Sequence, residues 1–346
     1  MTKRILIVQT AFIGDVILIT PLIRAVRQLY PQAIIDVMVV PAAAKLLENN
    51  PYINEVLAYP KRKNALVTML QMLKLLRKKH YDLAISPHSS GRTHILLFLS
   101  CIPLRLGFDR GPAPLLLTAK IKHPNNIHKI NKNLALLKML SPRNFEMQSE
   151  LFPSAQDTAK ANELCLGLSD LPLIAIAPGS IWATKCWHID SYKQLCLQLI
   201  SRGMAIVLIG GEADKAKCNE LQQAALQQNP KAPVLNLAGS TNLLESAAVI
   251  AKCRLMICND SGALHIANAM QTDVFAFFGP TVPAIGYYPY RYGDRVFQVE
   301  LNCRPCGSHG ANKCPLGHHK CMNCISADII MKAIEETIPI SKREGR

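Results

Sequence analysis

Aromatic side chains are scarce in this chain, 6% of 346 residues with two tryptophans, and its 24 acids are outnumbered by 39 lysines and arginines. No basic strand is interleaved with aromatics, so the stacking platform of a single-stranded nucleic-acid binder is missing and no nucleic-acid partner is expected. No stretch of about 18 apolar residues runs uninterrupted. Asp15 splits "VQTAFIGDVILITPLIRAV" and Lys74 splits "LVTMLQMLKLL", which argues against a membrane-spanning helix. The start "MTKRILIV" imitates a secretion signal, but the acid and the lack of a small-residue cleavage site argue against one, and a cytoplasmic protein is expected. G-x-G-x-x-G does not follow the first apolar run and G-x-x-x-x-G-K-[ST] occurs nowhere, which removes the main support for nicotinamide and P-loop chemistry.

What is present fits a globular α/β protein: 49% hydrophobic and 18% charged residues, in a length that suits two domains of roughly 150 to 200 residues. The net charge of +15 is uneven. Residues 1–170 hold 22 Lys+Arg against 11 Asp+Glu, net +11, leaving 17 against 13, net +4, for the rest. Such a basic first half favours a polyanionic partner, an anionic membrane surface or a phosphorylated substrate, with a merely solvated basic face as the plain alternative. "KRKNALVTMLQMLKLLRKKHYD" (61–82) flanks an apolar stripe with basic residues, as an interfacial helix would, although an ordinary surface helix fits as well.

Strand-like runs alternate with helical patterns, the signature of parallel sheets with crossover helices. In the first half "RILIVQ", "IIDVMVV" and "DLAISP" read as strands, with helices expected near 15–29, 63–79 and 126–140. In the second, "LIAIAP", "MAIVLIG", "LMICND" and "DVFAFFG" alternate with helices near 188–202, 212–228, 243–252 and 261–270. The polar, proline-punctuated stretch 141–157 reads as a linker. We expect a domain over 1–155, a second over 170–325, and a helix with a basic tail over 326–346. Two such domains would face each other across a cleft, with ligands at the carboxyl ends of the strands.

Three loops after strands of the second half carry chemistry. In "NDSGALH" Asp260 ends a strand and Ser261 and Gly262 open a helix, whose amides form a natural phosphate site. A plain N-cap explains the same residues, and His265, one turn on, could touch a ligand or simply be buried. "PGSIWATKCW" offers the hydroxyls of Ser180 and Thr184 and the cation of Lys185, which could neutralise a diphosphate or face solvent. Asp214 in "GGEADK" sits where a carboxylate could accept ribose hydroxyls, or merely complement a helix dipole.

Together with "ILIVQTAFIGDVILITPLI", "LAGSTNLLESAAVIAKC" and "FFGPTVP", these motifs make the chain resemble glycosyltransferase family 9, the ADP-heptose:lipopolysaccharide heptosyltransferases, its heptosyltransferase II branch most of all. The resemblance implies a GT-B fold, two Rossmann-like domains with the acceptor on the first and the sugar nucleotide on the second. It implies Asp15 as catalytic base, Lys185 as the diphosphate-binding lysine and Asp214 as the ribose acid. Thr241 would make a backbone contact to adenine, and "DSGALH" would grip phosphate and heptose. Asp15, after a strand and a glycine, would stand in the first turn of a helix whose dipole keeps it ionised. The implied partners are ADP-heptose, a phosphorylated lipopolysaccharide core and, peripherally, the inner face of the inner membrane. No D-x-D triplet occurs, so no catalytic metal and no cofactor is expected. Two other readings are weighed: a family 9 transferase with another nucleotide sugar, and a non-enzymatic binder of anionic glycolipid, which leaves Asp15, Lys185 and the phosphate loop unexplained.

Five of 12 cysteines fall in "CRPCGSHGANKCPLGHHKCMNC" (303–324), two C-x-x-C pairs separated by 14 residues, with His309, His318 and His319 nearby. That spacing is just below a zinc ribbon's. Structural zinc is one reading; loop packing by reduced thiols is the preferred one.

Overall fold

The structure is a computed structural model that describes residues 2–61, 64–168 and 170–338. The chain divides into two compact units between Phe152 and Pro153, inside the stretch expected to be a linker. In the first, β1 (Arg4–Gln9), β2 (Ile34–Val39), β3 (Glu55–Ala58), β4 (Leu83–Ser86), β5 (Leu104–Phe108) and β6 (Ala119–Ile121) form one sheet. Its order is β3-β2-β1-β4-β5-β6 and every pair is parallel. The second unit repeats the plan with β7 (Leu173–Ala177), β8 (Ala205–Leu208), β9 (Val234–Asn236), β10 (Leu255–Asn259), β11 (Asp273–Phe277) and β12 (Arg295–Phe297), ordered β12-β11-β10-β7-β8-β9 and again all parallel. Each sheet reverses its strand order beside its first strand, between β1 and β4 and between β7 and β10, where doubly wound sheets bind ligands.

The helices of the first unit are α1 (Ile13–Ile17), α2 (Thr20–Leu29), α3 (Pro41–Ala44), α4 (Ala65–Lys79), α5 (Gly91–Leu99) and α6 (Lys129–Ala135). Those of the second are α7 (Ala155–Cys165), α8 (Ile189–Ser201), α9 (Lys215–Gln228), α10 (Leu243–Ile250), α11 (Gly262–Ala269), α12 (Lys320–Asn323) and α13 (Ala327–Thr337). The single helix expected over 15–29 is instead two, parted at Leu18–Ile19. Pro21 has no N–H to give to the Ile17 carbonyl, and the Thr20 hydroxyl donates to it at 2.8 Å in its place. α4 starts at Ala65; Lys63, where the expected helix begins, lies outside the described residues, as does the basic tail 339–346.

Packing follows the apolar patterns. α4 buries Met72 and Leu76 on the first core and leaves Leu66, Val67 and Leu70 exposed, so its apolar stripe is wider than the surface it covers. In the second core Trp187 stacks at 4.3 Å on Phe277 and meets Tyr192 edge-on, while its indole N–H donates to the Ile325 carbonyl. α13 completes that core with Ile330, Met331 and Ile334.

Candidate active site

In the second unit the loops leaving β7 and β10 carry the key side chains. Lys185 ends a short 3-10 turn (Ala183–Lys185), and its ammonium lies 2.6 Å from Asp260 Oδ2. The same oxygen accepts the Thr281 hydroxyl at 2.6 Å. Ser261 takes the N-cap position of α11 without a side-chain cap bond, so the first-turn amides of α11 open beside the Lys185–Asp260 pair. His265, on the first turn, is buried with Tyr287 6.2 Å away.

Asn259, the last residue of β10, fixes the β7 loop. Its amide donates to the carbonyls of Pro178 and Gly179, and its oxygen accepts from the Trp187 N–H and the Tyr192 hydroxyl. Asp214 closes a 3-10 turn before α9 and accepts the Gly211 N–H at 3.0 Å. Its carboxylate lies against Gly179 so closely that a Cβ there would collide with Oδ1. That contact brings the "GGEAD" loop beside the "PGS" loop. Ser180 accepts the Trp182 N–H weakly at 3.4 Å. Two other hydroxyls have protein partners: Thr184 exchanges bonds with the Ala311 backbone at 2.8 Å, and Thr241 pairs with Ser246.

The family comparison decides the reading of this geometry. The model of glycosyltransferase family 9 (heptosyltransferase) matches residues 69–316, most of the chain. The chain belongs to glycosyltransferase family 9. The curated lipopolysaccharide heptosyltransferase 2 of Escherichia coli K12 is 30% identical over 332 residues, 84% of this chain and 91% of that protein. Its Salmonella typhimurium counterpart is 29% identical over 330 residues, with the same coverage. The structure of E. coli ADP-heptose lps heptosyltransferase II superposes with a TM-score of 0.80 at 26% identity, covering 96% of this chain and 98% of that one. The expected fold class, two Rossmann-like α/β units of the GT-B type, is thus the one found.

In the first unit the family 9 enzyme gathers polar groups at the ends of β1 and β4. Thr10, buried just after β1, accepts from Lys61 at 3.1 Å and lies 3.5 Å from His88 Nδ1 and from Thr93. Burial, then the cations of Lys61 and Lys129, push His88 down to about 4, so its ring is neutral near pH 7. Asp15 is the third residue of α1, whose N-cap is Phe12. Asp15 stands in the first turn of α1, as expected from the sequence, and the structure adds a cation near it. α6 is tied to the turn after α1 by Asn133, which donates to the Leu18 carbonyl at 2.9 Å. Lys129, one turn earlier on the same helix, is electrostatically coupled to Asp15: burial lowers its amine and the Asp15 carboxylate opposes that shift. Arg110 and Lys132 act on the same amine.

Sequence reasoning missed Asn259, Thr281, His88 and Lys129 as site residues. The first two lie inside the quoted stretches "LMICND" and "FFGPTVP", where an amide at a strand end and a hydroxyl after the next strand were the available signals. The other two carry no local signal.

Proposed function

We propose that the protein transfers heptose from ADP-heptose to the phosphorylated inner core of lipopolysaccharide, with inversion at the anomeric carbon. The observation that carries the reading is the nearly buried Lys185–Asp260 pair beside the opening of α11, in a family 9 chain whose relatives are named for this reaction. An ammonium fixed by a carboxylate, next to helix amides, is a preorganised seat for a diphosphate. Asp214 accepts the ribose hydroxyls, Thr241 offers backbone to the adenine, and Ser261, Gly262 and His265 hold phosphate and sugar, with Ser180 at the loop rim.

The acceptor hydroxyl attacks the anomeric carbon and gives its proton to the Asp15 carboxylate as the bond to the diphosphate breaks. The sugar passes through an oxocarbenium-like state, as in glycoside hydrolysis, and one displacement inverts it. Charge on departing ADP is met by Lys185 and the α11 amides, so transfer requires no added divalent cation. Lys129, which Asp15 acts on, with Arg110 and Lys132 near it and Lys61 near His88, suits a phosphorylated acceptor. No helix among the described residues is long and apolar enough to cross a membrane. Exposed Leu66, Val67 and Leu70 on α4, followed by Lys74 and Lys78, support peripheral contact with the cytoplasmic face of the inner membrane.

The test is incubation with ADP-heptose and a set of truncated cores in chelator, with products identified by mass. One acceptor gaining a single heptose is the expected result. A product formed only from another nucleotide sugar, or only with added magnesium or manganese, would overturn the donor or the metal-free mechanism respectively.

A further inference from the structure

Among the described residues no three His, Cys, Asp or Glu side chains are gathered to hold a metal ion. What the 303–324 segment does show is a set of hydrogen bonds, and they converge on two loops that place the Lys185–Asp260 pair.

The first is the Lys185 loop. Every polar group of Thr184, the residue before Lys185, goes to the segment. The Thr184 N–H donates to the Ala311 carbonyl at 3.0 Å, and its hydroxyl donates to that carbonyl and accepts the Ala311 N–H, both at 2.8 Å. Its own carbonyl lies 2.7 Å from His319 Nε2. A carbonyl oxygen only accepts, so the ring nitrogen facing it carries the proton. Thr184 is 5% exposed, and water cannot replace a bond lost there. Gly310 rests on the stem of Lys185, where a Cβ would come within 3.0 Å of Lys185 Cγ and 2.5 Å of Trp182 Cβ.

The second is the loop of Thr281, whose hydroxyl donates to Asp260. Arg304 donates to the carbonyls of Phe278, Gly279 and Thr281, and the Cys306 N–H donates to the Pro280 carbonyl at 2.9 Å. One segment therefore holds the backbone beside the ammonium and the backbone of the residue that bonds its counter-ion. A lysine stem is long and flexible, so an ammonium pinned at its tip keeps one position only when its base is fixed as well.

His319 makes its bond from the N-cap of α12 with φ 46°, a left-handed conformation that costs a non-glycine residue and is kept where the surroundings fix it. A cavity of about 110 Å³, lined by Thr184, Pro280, Ala311 and His319, lies along this seam and gives the loop room to shift once a bond is lost. We propose that residues 303–324 are a clasp that positions the Lys185 ammonium for the donor diphosphate, with His319 as its positioning residue. The clasp rests on the donor reading of Lys185.

The experiment is calorimetric titration of full-length protein with ADP, for the wild type, His319→Leu, His319→Gln, Lys185→Met and the double variant His319→Leu with Lys185→Met, each confirmed folded by circular dichroism. His319→Leu is expected to raise the Kd for ADP roughly ten-fold, within what a small misplacement of a positioned group costs a site. His319→Gln, whose side-chain amide can donate to the same carbonyl, recovers most of that loss. On the Lys185→Met background His319→Leu adds nothing, because its effect passes through the ammonium. Should His319→Leu not fold, Thr184→Val, which keeps the shape and drops the hydroxyl bonds to Ala311, carries the same expectations for the wild-type and Lys185→Met backgrounds. An additive loss in the double variant, or a Gln variant no better than the Leu one, would show a structural contribution only and overturn the clasp. Unchanged ADP affinity in Lys185→Met would overturn the donor reading itself, whereas a loss there with none in His319→Leu would overturn the clasp alone.

Discussion

The Lys185 ammonium and the Asp260 carboxylate meet at 2.6 Å with 12% and 8% of their side chains exposed, and Thr281 donates to the same carboxylate oxygen. Removing one partner of so buried a pair leaves the other uncompensated, at a cost of about 3 kcal/mol. Lys185→Met is therefore expected to lower the melting temperature and to raise the KM for ADP-heptose while sparing the acceptor KM. The double variant Lys185→Met with Asp260→Asn separates the two effects. It removes the orphaned charge, so melting recovers, but the diphosphate still lacks its cation and donor use stays impaired. Recovery of donor use along with melting would show that the pair is structural only.

His88 gives a pH dependence with a definite sign. Its folded-state value of about 4 lies below the ordinary 6.5, because burial and the Lys61 and Lys129 cations disfavour its charged form. The unfolded chain therefore binds the proton first, and stability held above pH 6.5 is lost as pH falls toward 4, by about 2 kcal/mol at pH 5. His88→Asn should shrink the melting difference between pH 7 and pH 5. His94 and His123 are shifted the same way, so a residual slope remains. An undiminished slope in the variant would show that His88 is not held neutral.

How much of this could be read from the sequence differs between strands and site. Runs such as "RILIVQ" and "LMICND" are buried on both faces, and their continuous apolar character marks β1 and β10 to within a residue. Edge strands left no such mark: β6 (AKI), β9 (VLN) and β12 (RVF) have three residues each and are only partly buried. The helix break before Pro21 was readable, but the apolar periodicity running through it dominated. Site residues within one motif, Asp260 to His265, could be found because helix-start chemistry is local. The group Lys61, His88, Arg110 and Lys129 could not, since only the order β3-β2-β1-β4-β5-β6 brings loops so far apart in the chain to one sheet end.

That same group locates the charge asymmetry of the chain. Screening shortens the reach of exposed charge to about 8 Å at physiological ionic strength. The acceptor KM should therefore rise with salt more steeply than the donor KM, whose cation is buried against Asp260. Arg110→Ala, at an exposed position, should raise the acceptor KM and flatten its salt dependence while leaving donor use alone. Equal salt sensitivity of the two constants would dissociate the basic cluster from acceptor binding.

Asp15 offers the sharpest test, because its two possible roles predict opposite outcomes. As a structural helix-start residue it would contribute to the stability of α1, where the N-cap, Phe12, makes no side-chain cap bond. Asp15→Ala would then lose about 0.5–2 kcal/mol, and Asp15→Asn would turn over normally. As the proton acceptor it would be indispensable in chemistry: Asn keeps the shape but cannot take a proton, and kcat should fall by roughly 10²–10⁴-fold. The donor KM should stay nearly unchanged in the Asn variant, since the donor loops belong to the other unit. The neighbouring Lys129 sharpens the design, because removing the carboxylate leaves that half-buried amine without its counter-charge. Asp15→Asn with Lys129→Met removes that imbalance, so a kcat that stays low in the double variant assigns the loss to the missing base, and one that recovers assigns it to the orphaned lysine.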